Sequence, residues 1–593
     1  MFPHFCIQSC IMNAAHRNQP AKMFAAILVG TCLWAGAALH AQSPAAPRGE
    51  DLDHYPAGPD SQRQTGVPQG ETFSFALTNS QFFPGAHRAI TVYVPAEYKG
   101  DQPACVYVGL DGLGFDAPVV FDNLIHRGEM PVTIAIGVSS GEVLPANGDG
   151  NSRFNRSLEF DGLDDALARC VTEEIFPAVE QHRTAAGLPI RLSRDPNDHC
   201  VGGASTGGIG AFTLAWERPD LFRRVFTAIG TFVDMRGGDR YPVLVRETEP
   251  KPLRVFQQDG SHDEWMGGPE VGDWWLGNQY LDAALEFAGY DHKHVWGTGT
   301  HNGTHAAAIF PDAMRYLWQG WPAPVAARTA ASQNVLLRSV LDSSSPWQPV
   351  GEAGDACDHL VVNPQGEVFF FDRAAKRVRK LDTKGAITEA AGIPVDQAFA
   401  FAADGRVVTT PQLSAACLTM TAAGNLYATA SAAGQVWLVK PNGAKILLDS
   451  GLKAPTGIAL SPDDCWLAVL ENQTHWGFSY RVKPDGSVDA KQRFYWVHVP
   501  AGADDSGAGD ACMDREGHLY VATRLGVQVF DRNGRSRAIL PLPSGEATSV
   551  SFGGAGFNTL YVTSGGHLFK RHVKAVGAPA FEPPIKLPPW GAG

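Results

Sequence analysis

Between residues 71 and 322, short apolar runs alternate with stretches of helical period. Ala89–Val94 and Ala104–Leu110 read as strands, and Val132–Val138 is an unbroken apolar run with β-branched residues, as in a buried strand. Leu163–His182 carries apolar residues at helical spacing and ends in a Glu-rich turn before Pro177, with a continuation beyond it left open. Strands alternating with helices predict an α/β domain with a mostly parallel sheet and helices on both faces. After residue 349 the pattern changes. Glu516-Gly517-His518-Leu519-Tyr520-Val521-Ala522-Thr523 repeats a phrase seen in Ala423–Thr429, and in looser form in Gln365–Asp372 and Asn558–Thr563. Second β runs follow at Gln435–Val439 and Gly526–Asp531, and two copies then turn at Pro441-Asn442-Gly443 and Asp531-Arg532-Asn533-Gly534. A sandwich accounts for the strands but not for the repeated phrase. The repeat predicts an all-β propeller; at about 40–50 residues per four-stranded blade the segment holds five or six blades, and six is the expectation.

Composition marks the joints between these regions. Residues 42–70 are rich in Pro, Gly and charge and read as a leader; residues 323–348 are small and polar and read as a linker. Domains at 71–322 and 349–593 are expected. Arg17 and Lys22 precede the apolar run Met23–Leu39, and the small residue Ala41 follows. That order predicts a signal peptide over residues 1–41, cleaved after Ala41, and hence a secreted or periplasmic protein with no stable membrane insertion after cleavage. Forty-eight basic residues against 61 acidic ones give a net charge of −13, and no basic tract is present, which argues against a nucleic-acid partner. After the signal, Cys105, Cys170, Cys200, Cys357, Cys417, Cys465 and Cys512 remain. They are scattered, which predicts buried thiols with at most one pair and no metal cluster.

Candidate chemistry begins at Gly203-Ala204-Ser205-Thr206-Gly207. By itself a Gly-x-Ser-x-Gly pattern carries little in a chain with 64 glycines. Its context carries more: a β run at His199–Gly202 precedes it and a helical stretch at Ile209–Trp216 follows. A serine on a strand-to-helix turn exposes its Oγ and aims neighbouring N–H groups at an oxyanion. An acid and a histidine are expected downstream, in that order. Leu253–Phe256 leads into Asp259 and Asp263, and His294–Trp296 leads into His301. Loops after strand ends are where an open α/β sheet places its chemistry.

The segment 71–322 resembles the enterochelin-esterase-like branch of the esterase D group of α/β-hydrolases. The resemblance rests on Phe83-Pro84-Gly85, Thr91–Pro95, Asp111-Gly112, Arg153–Asp161, Glu173–Pro177, the Ser205 elbow, Gly272–Trp275 with Asn278, and Gly299–Gly303. It implies Ser205 as nucleophile, His301 as base and Asp263 as acid, with Asp259 the runner-up. His262 and His305 are expected to be loop residues or supports around the site rather than members of the triad. The oxyanion donors would be the backbone N–H of Thr206 and one from the turn containing Leu113. Trp274 and Trp275 are candidates for a substrate-binding wall, with core packing the competing role.

Residues from 349 onward resemble the propellers of the gluconolactonase, senescence-marker-protein and luciferin-regenerating-enzyme family. That family hydrolyses lactones with a divalent cation held by Glu, Asn and Asp. Here the corresponding positions fall on Asp358, Thr456 and Gly509, and the substrate-contacting Asn-Asp falls on Ala416-Cys417. Too few charged oxygens remain to dehydrate a hard cation. Asp510 lies one place from the expected acid. The favoured expectation is a secreted serine carboxylic-ester hydrolase with no cofactor and no metal, acting on a small-molecule or carbohydrate ester and carrying a degenerate propeller. The alternatives are a metal-dependent sugar lactonase in the propeller, and a carbohydrate- or siderophore-binding protein without turnover.

Overall fold

A computed structural model describes residues 51–587, apart from residues 148–149, 265–269, 352, 354–355 and 396. The expected signal segment lies outside the described residues. Among the described residues no helix is long and apolar enough to cross a membrane.

The first half is built on one ten-stranded sheet. Its strands are β1 (Glu71–Leu77), β2 (Ala86–Val94), β3 (Cys105–Leu110), β4 (Thr133–Val138), β5 (Glu142–Val143), β6 (Arg153–Phe154), β7 (His199–Ala204), β8 (Arg224–Ala228), β9 (Arg254–Gly260) and β10 (Asp291–Gly297). The order β10-β9-β8-β7-β3-β4 is parallel throughout; β2 then pairs antiparallel with β4, and β1, β5 and β6 extend that antiparallel end. Burial on both faces explains the unbroken apolar runs seen in the sequence. In β3, Val106, Val108 and Leu110 join one core while Cys105 and Tyr107 join the other, as a two-residue period requires.

The expected helix over Leu163–His182 is shorter and irregular. It runs from Ala166 to Glu180, with a π-helical stretch over Cys170–Ile175. Pro177 has no N–H to give to the preceding turn, and the wider turn sits immediately before it. The helix continues past the proline.

The second half is a β-propeller; among the described residues it has five four-stranded sheets rather than the six expected. The remaining place in the ring holds only the two-stranded pair Phe399–Phe401 and Val407–Thr409. The cause is length. Only residues 390–416 separate the first blade from the blade that starts at Cys417, whereas a four-stranded blade takes about 40–50 residues. The repeated phrases are the second strands of four blades, at Val368–Asp372, Leu426–Ala430, Leu519–Thr523 and Thr559–Ser564. The turn glycine before three of them, at positions 366, 424 and 517, has φ of 78°, 83° and 84°, a conformation open to glycine at little cost. Gln348–Pro349 pairs with His567–His572, so a strand from before the first blade completes the last.

The segment 323–348 is folded. Val335–Val340 is helical, and Leu336, Leu337 and Val340 pack into the propeller core around Tyr520 and Leu540. Asn334 donates both to Arg246 O (3.0 Å) and to Arg537 O (2.8 Å), one on each half of the chain. The small polar residues around it masked this short apolar triplet. A buried ion pair also joins the halves: Arg571 Nη1 and Nη2 lie 2.6 and 2.8 Å from the Glu249 carboxylate. Removing one partner strands a buried charge, which costs about 3–5 kcal/mol. Glu249→Ala should therefore lower stability to chemical denaturation by about 3 kcal/mol. A loss below about 0.5 kcal/mol would mean that solvent screens the pair.

Candidate active site

Ser205 sits where β7 passes into the helix Thr206–Glu217, with φ 59° and ψ −125°. A non-glycine residue there is strained. Hydrogen bonds hold it on both sides. Its N–H donates to Ala228 O (2.9 Å), and its carbonyl accepts from Gly208 (2.8 Å), Ile209 (3.2 Å) and Thr231 (3.2 Å). The flanking glycines are required by close approach. A Cβ on Gly203 would fall 2.4 Å from Gly207 O, and one on Gly208 would fall 2.9 Å from Ala228 O.

The loops after β9 and β10 bring the other expected residues to this serine. His301 Nε2 lies 2.8 Å from Ser205 Oγ, and its Nδ1 lies 2.8 and 2.9 Å from the two Asp263 oxygens. Asp263 is buried, its N–H donates to Gly260 O (3.0 Å), and its carbonyl accepts from Trp275 N–H (2.9 Å). Such a chain can pass a hydroxyl proton to an imidazole whose charge the carboxylate stabilises. Asp259 does not reach His301. It is fully buried, and its Oδ1 accepts from Gly260 N–H (2.7 Å). Burial, then the neighbouring Asp263 carboxylate, push its pKa up to about 9, so it is a neutral acid at neutral pH.

Thr206 is the first residue of its helix, where an N–H has no intrahelical acceptor. The Asp111–Leu113 turn lies beside the elbow: a Cβ on Gly207 would sit 3.1 Å from Asp111 Oδ2, and one on Gly137 would sit 2.7 Å from Leu113 N. Arg156 holds Asp111 in a two-pronged pair at 2.9 and 2.7 Å. Trp274 is only 2% exposed; its ring meets His301 edge-on at 5.6 Å and its indole N–H donates to Thr231 Oγ1 (3.2 Å). It is a support behind the histidine rather than an open wall. Trp275 is half-buried and packs edge-on against Trp296 at 5.2 Å. His262 lies in the loop, with Nδ1 2.9 Å from Thr298 O, and His305 Nδ1 lies 3.0 Å from Gln258 Nε2.

Sequence reading missed the residues that fix the histidine loop, because they sit in the apparent leader. Asp53 accepts from Thr300 N–H (2.9 Å) and Oγ1 (2.7 Å). The Tyr55 hydroxyl accepts from Thr298 N–H (2.8 Å), and its ring stacks on His305 at 4.1 Å. The one signal for them is the Leu52-Asp53-His54-Tyr55 cluster within a Pro- and Gly-rich stretch. Among the described residues the seven cysteines form no disulfide, and five of them are buried.

The propeller residues do not fit the cation of the family they resemble. The Asp358 carboxylate pairs with Arg373 (3.0 Å), and the Thr456 hydroxyl donates to Ala508 O. A Cβ on Gly509 would overlap Thr548 O at 1.9 Å, so an aspartate cannot be restored there without moving the backbone. Asp510 is engaged by the Ser549 hydroxyl and by His359 Nδ1 at 3.2 Å. Burial alone would lower the His359 pKa, but the Asp510 carboxylate overrides it and raises it.

Comparison with known proteins agrees with this division. Residues 83–319 match the esterase family described as "Putative esterase", and residues 339–566 match the "SMP-30/Gluconolactonase/LRE-like region". The chain thus joins an esterase-family region to a gluconolactonase-like propeller. A curated relative, pentonolactonase XacC of Haloferax volcanii, is 25% identical over 179 residues, which is 26% of this chain and 60% of the relative. The chain therefore spans under two thirds of that protein. Solved structures with some likeness include a gluconolactonase from Xanthomonas campestris (19% identity, 40% of this chain and 93% of that one, TM-score 0.35). Another is the enterobactin esterase FES from Shigella flexneri (19% identity, 43% and 61%, TM-score 0.31).

The state of Asp259 has a measurable consequence. The folded chain keeps its proton, while the unfolded chain releases it above about pH 4. Its contribution to stability is therefore complete below that point and is lost as pH rises toward the folded pKa. Asn in its place cannot titrate. The melting temperature of Asp259→Asn minus that of the parent should grow steadily from pH 5 to pH 9. A difference that stays flat across that range would mean Asp259 is ionised in the folded protein.

Proposed function

We propose that the esterase-family half is a serine carboxylic-ester hydrolase, exported to the periplasm or beyond, in which Ser205, His301 and Asp263 act as a triad. The observation that carries this reading is the unbroken hydrogen-bonded chain from Ser205 Oγ through His301 to Asp263, set on a strained strand-to-helix turn. Ser205 Oγ attacks the ester carbonyl while His301 Nε2 takes its proton. Asp263 holds the Nδ1–H tautomer and stabilises the imidazolium. The N–H groups of Thr206 and Leu113 bind the developing oxyanion. His301 then protonates the leaving alcohol, an acyl-enzyme remains on Ser205, and a water deprotonated by the same histidine releases the acid. No step needs a cofactor, and the proposed substrate is a small-molecule or carbohydrate ester. The propeller serves as an accessory domain.

A second reading places lactone hydrolysis in the propeller. Its support is the likeness to a pentonolactonase; the ligand positions described above weigh against it. A lactone is a cyclic ester, so substrate alone does not separate the two readings. Hydrolysis of an ester and lactone panel should be lost in Ser205→Ala and unaffected by EDTA. Asp263→Asn should lower kcat by about 10⁴-fold, the cost of the wrong histidine tautomer. Asp259→Asn, which replaces a neutral acid, should cost far less. Lactone turnover that survives Ser205→Ala and requires added metal would instead support the propeller reading.

A further inference from the structure

Where the helix Trp274–Ala288 meets the edge strand β10, two histidines and an aspartate converge. His292 and His294 are two residues apart and so share one face of the strand. Asp282 reaches them from the helix Trp274–Ala288. Its Oδ1 lies 3.3 Å from His292 Nε2 and 2.9 Å from His294 Nδ1, and the three donor atoms lie within 4.8 Å of one another. Donors bound to one tetrahedral ion at about 2.0–2.1 Å sit about 3.3 Å apart, so this spacing needs only small side-chain rotations.

The ring environment points the same way. His292 Nδ1 lies 3.4 Å from Tyr290 O, so both of its ring nitrogens face oxygen acceptors. A neutral imidazole has one N–H and would leave a lone pair directed at an oxygen. The arrangement calls for a cation at Nε2, either a second proton or a metal ion. The Tyr290 carbonyl would then fix the tautomer that leaves Nε2 free for the metal, the usual outer-shell partner of a ligating histidine. His294 stacks on Trp296 at 4.6 Å and 15°, which sets its plane. Its side chain is 43% exposed, which opens a further coordination position to water. Glu286, one turn along the same helix, adds negative charge nearby.

We propose that Asp282, His292 and His294 form a binding site for a divalent d-block cation of the zinc and cobalt class, linking the helix Trp274–Ala288 to β10. Two imidazoles and one carboxylate suit zinc or cobalt, whereas calcium and magnesium take more oxygens. The site is separate from the triad, so EDTA-insensitive ester hydrolysis is compatible with it. Its elements are nonetheless the ones that carry Trp274 and lead into His301, so a bound ion would clamp the support of the histidine loop.

The full chain, freed of metal by a chelator, is titrated with Zn²⁺ by calorimetry and with Co²⁺ by visible absorption. The expected result is one ion per chain, with a cobalt d–d spectrum of imidazole and oxygen ligation, and a zinc-dependent rise in melting temperature. His294→Gln and Asp282→Asn should each weaken binding at least about tenfold and remove the thermal shift. His294 is exposed, so its variant carries the test even if Asp282→Asn folds poorly. No stoichiometric binding at micromolar Zn²⁺, or binding and a thermal shift retained in His294→Gln, would overturn the proposal.

Discussion

A single backbone conformation constrains the whole C-terminal edge of the sheet. Ser205 holds φ 59°, a region that costs a non-glycine residue about 1–3 kcal/mol. It is kept there because β7 ends against β8, the following helix begins at once, and glycines at 203 and 208 let backbone pass backbone where a Cβ would collide. The strain projects the hydroxyl off the sheet. Everything else near it, from the β9 loop to the leader, serves to bring one imidazole to that hydroxyl and to keep it there.

The histidine loop is held from three directions. Asp263 fixes the imidazole from below, Trp274 supports its ring, and Asp53 and Tyr55 tie the loop backbone from outside. Two carboxylates stand close together under this loop, and their environments separate their roles. Asp263 receives the imidazole, while Asp259, buried deeper at the end of β9, keeps its proton because two negative charges there would repel without solvent to screen them.

Much of this was legible in the sequence, and the exceptions have physical reasons. The Ser205 elbow, the two loops after strand ends and the parallel sheet all leave local patterns: glycines that permit close approach, apolar runs for buried strands, and chemistry just past them. Trp274 shows the limit of such patterns, since an aromatic pair beside a candidate site reads the same whether it lines a pocket or packs beneath it; its 2% exposure decides for packing. Asp53 and Tyr55 were invisible because their partners lie more than 240 residues away and their surroundings read as a leader. In the propeller, the turn glycines and the Leu-Tyr strands marked the blades. The missing strands between residues 390 and 416 left a smaller sheet that the repeat phrase does not record. The pairing of His359 with Asp510 also depends on three-dimensional neighbours that no spacing reveals.

Ser205 is the proposed nucleophile, and covalent capture tests that without knowledge of the substrate. Incubation of the full chain with a fluorophosphonate, followed by peptide mapping, reads out which hydroxyl is activated. The prediction is one adduct, on Ser205, that disappears in Ser205→Ala and forms much more slowly in His301→Ala. An adduct on another serine, or no adduct on a folded and pure protein, would contradict it.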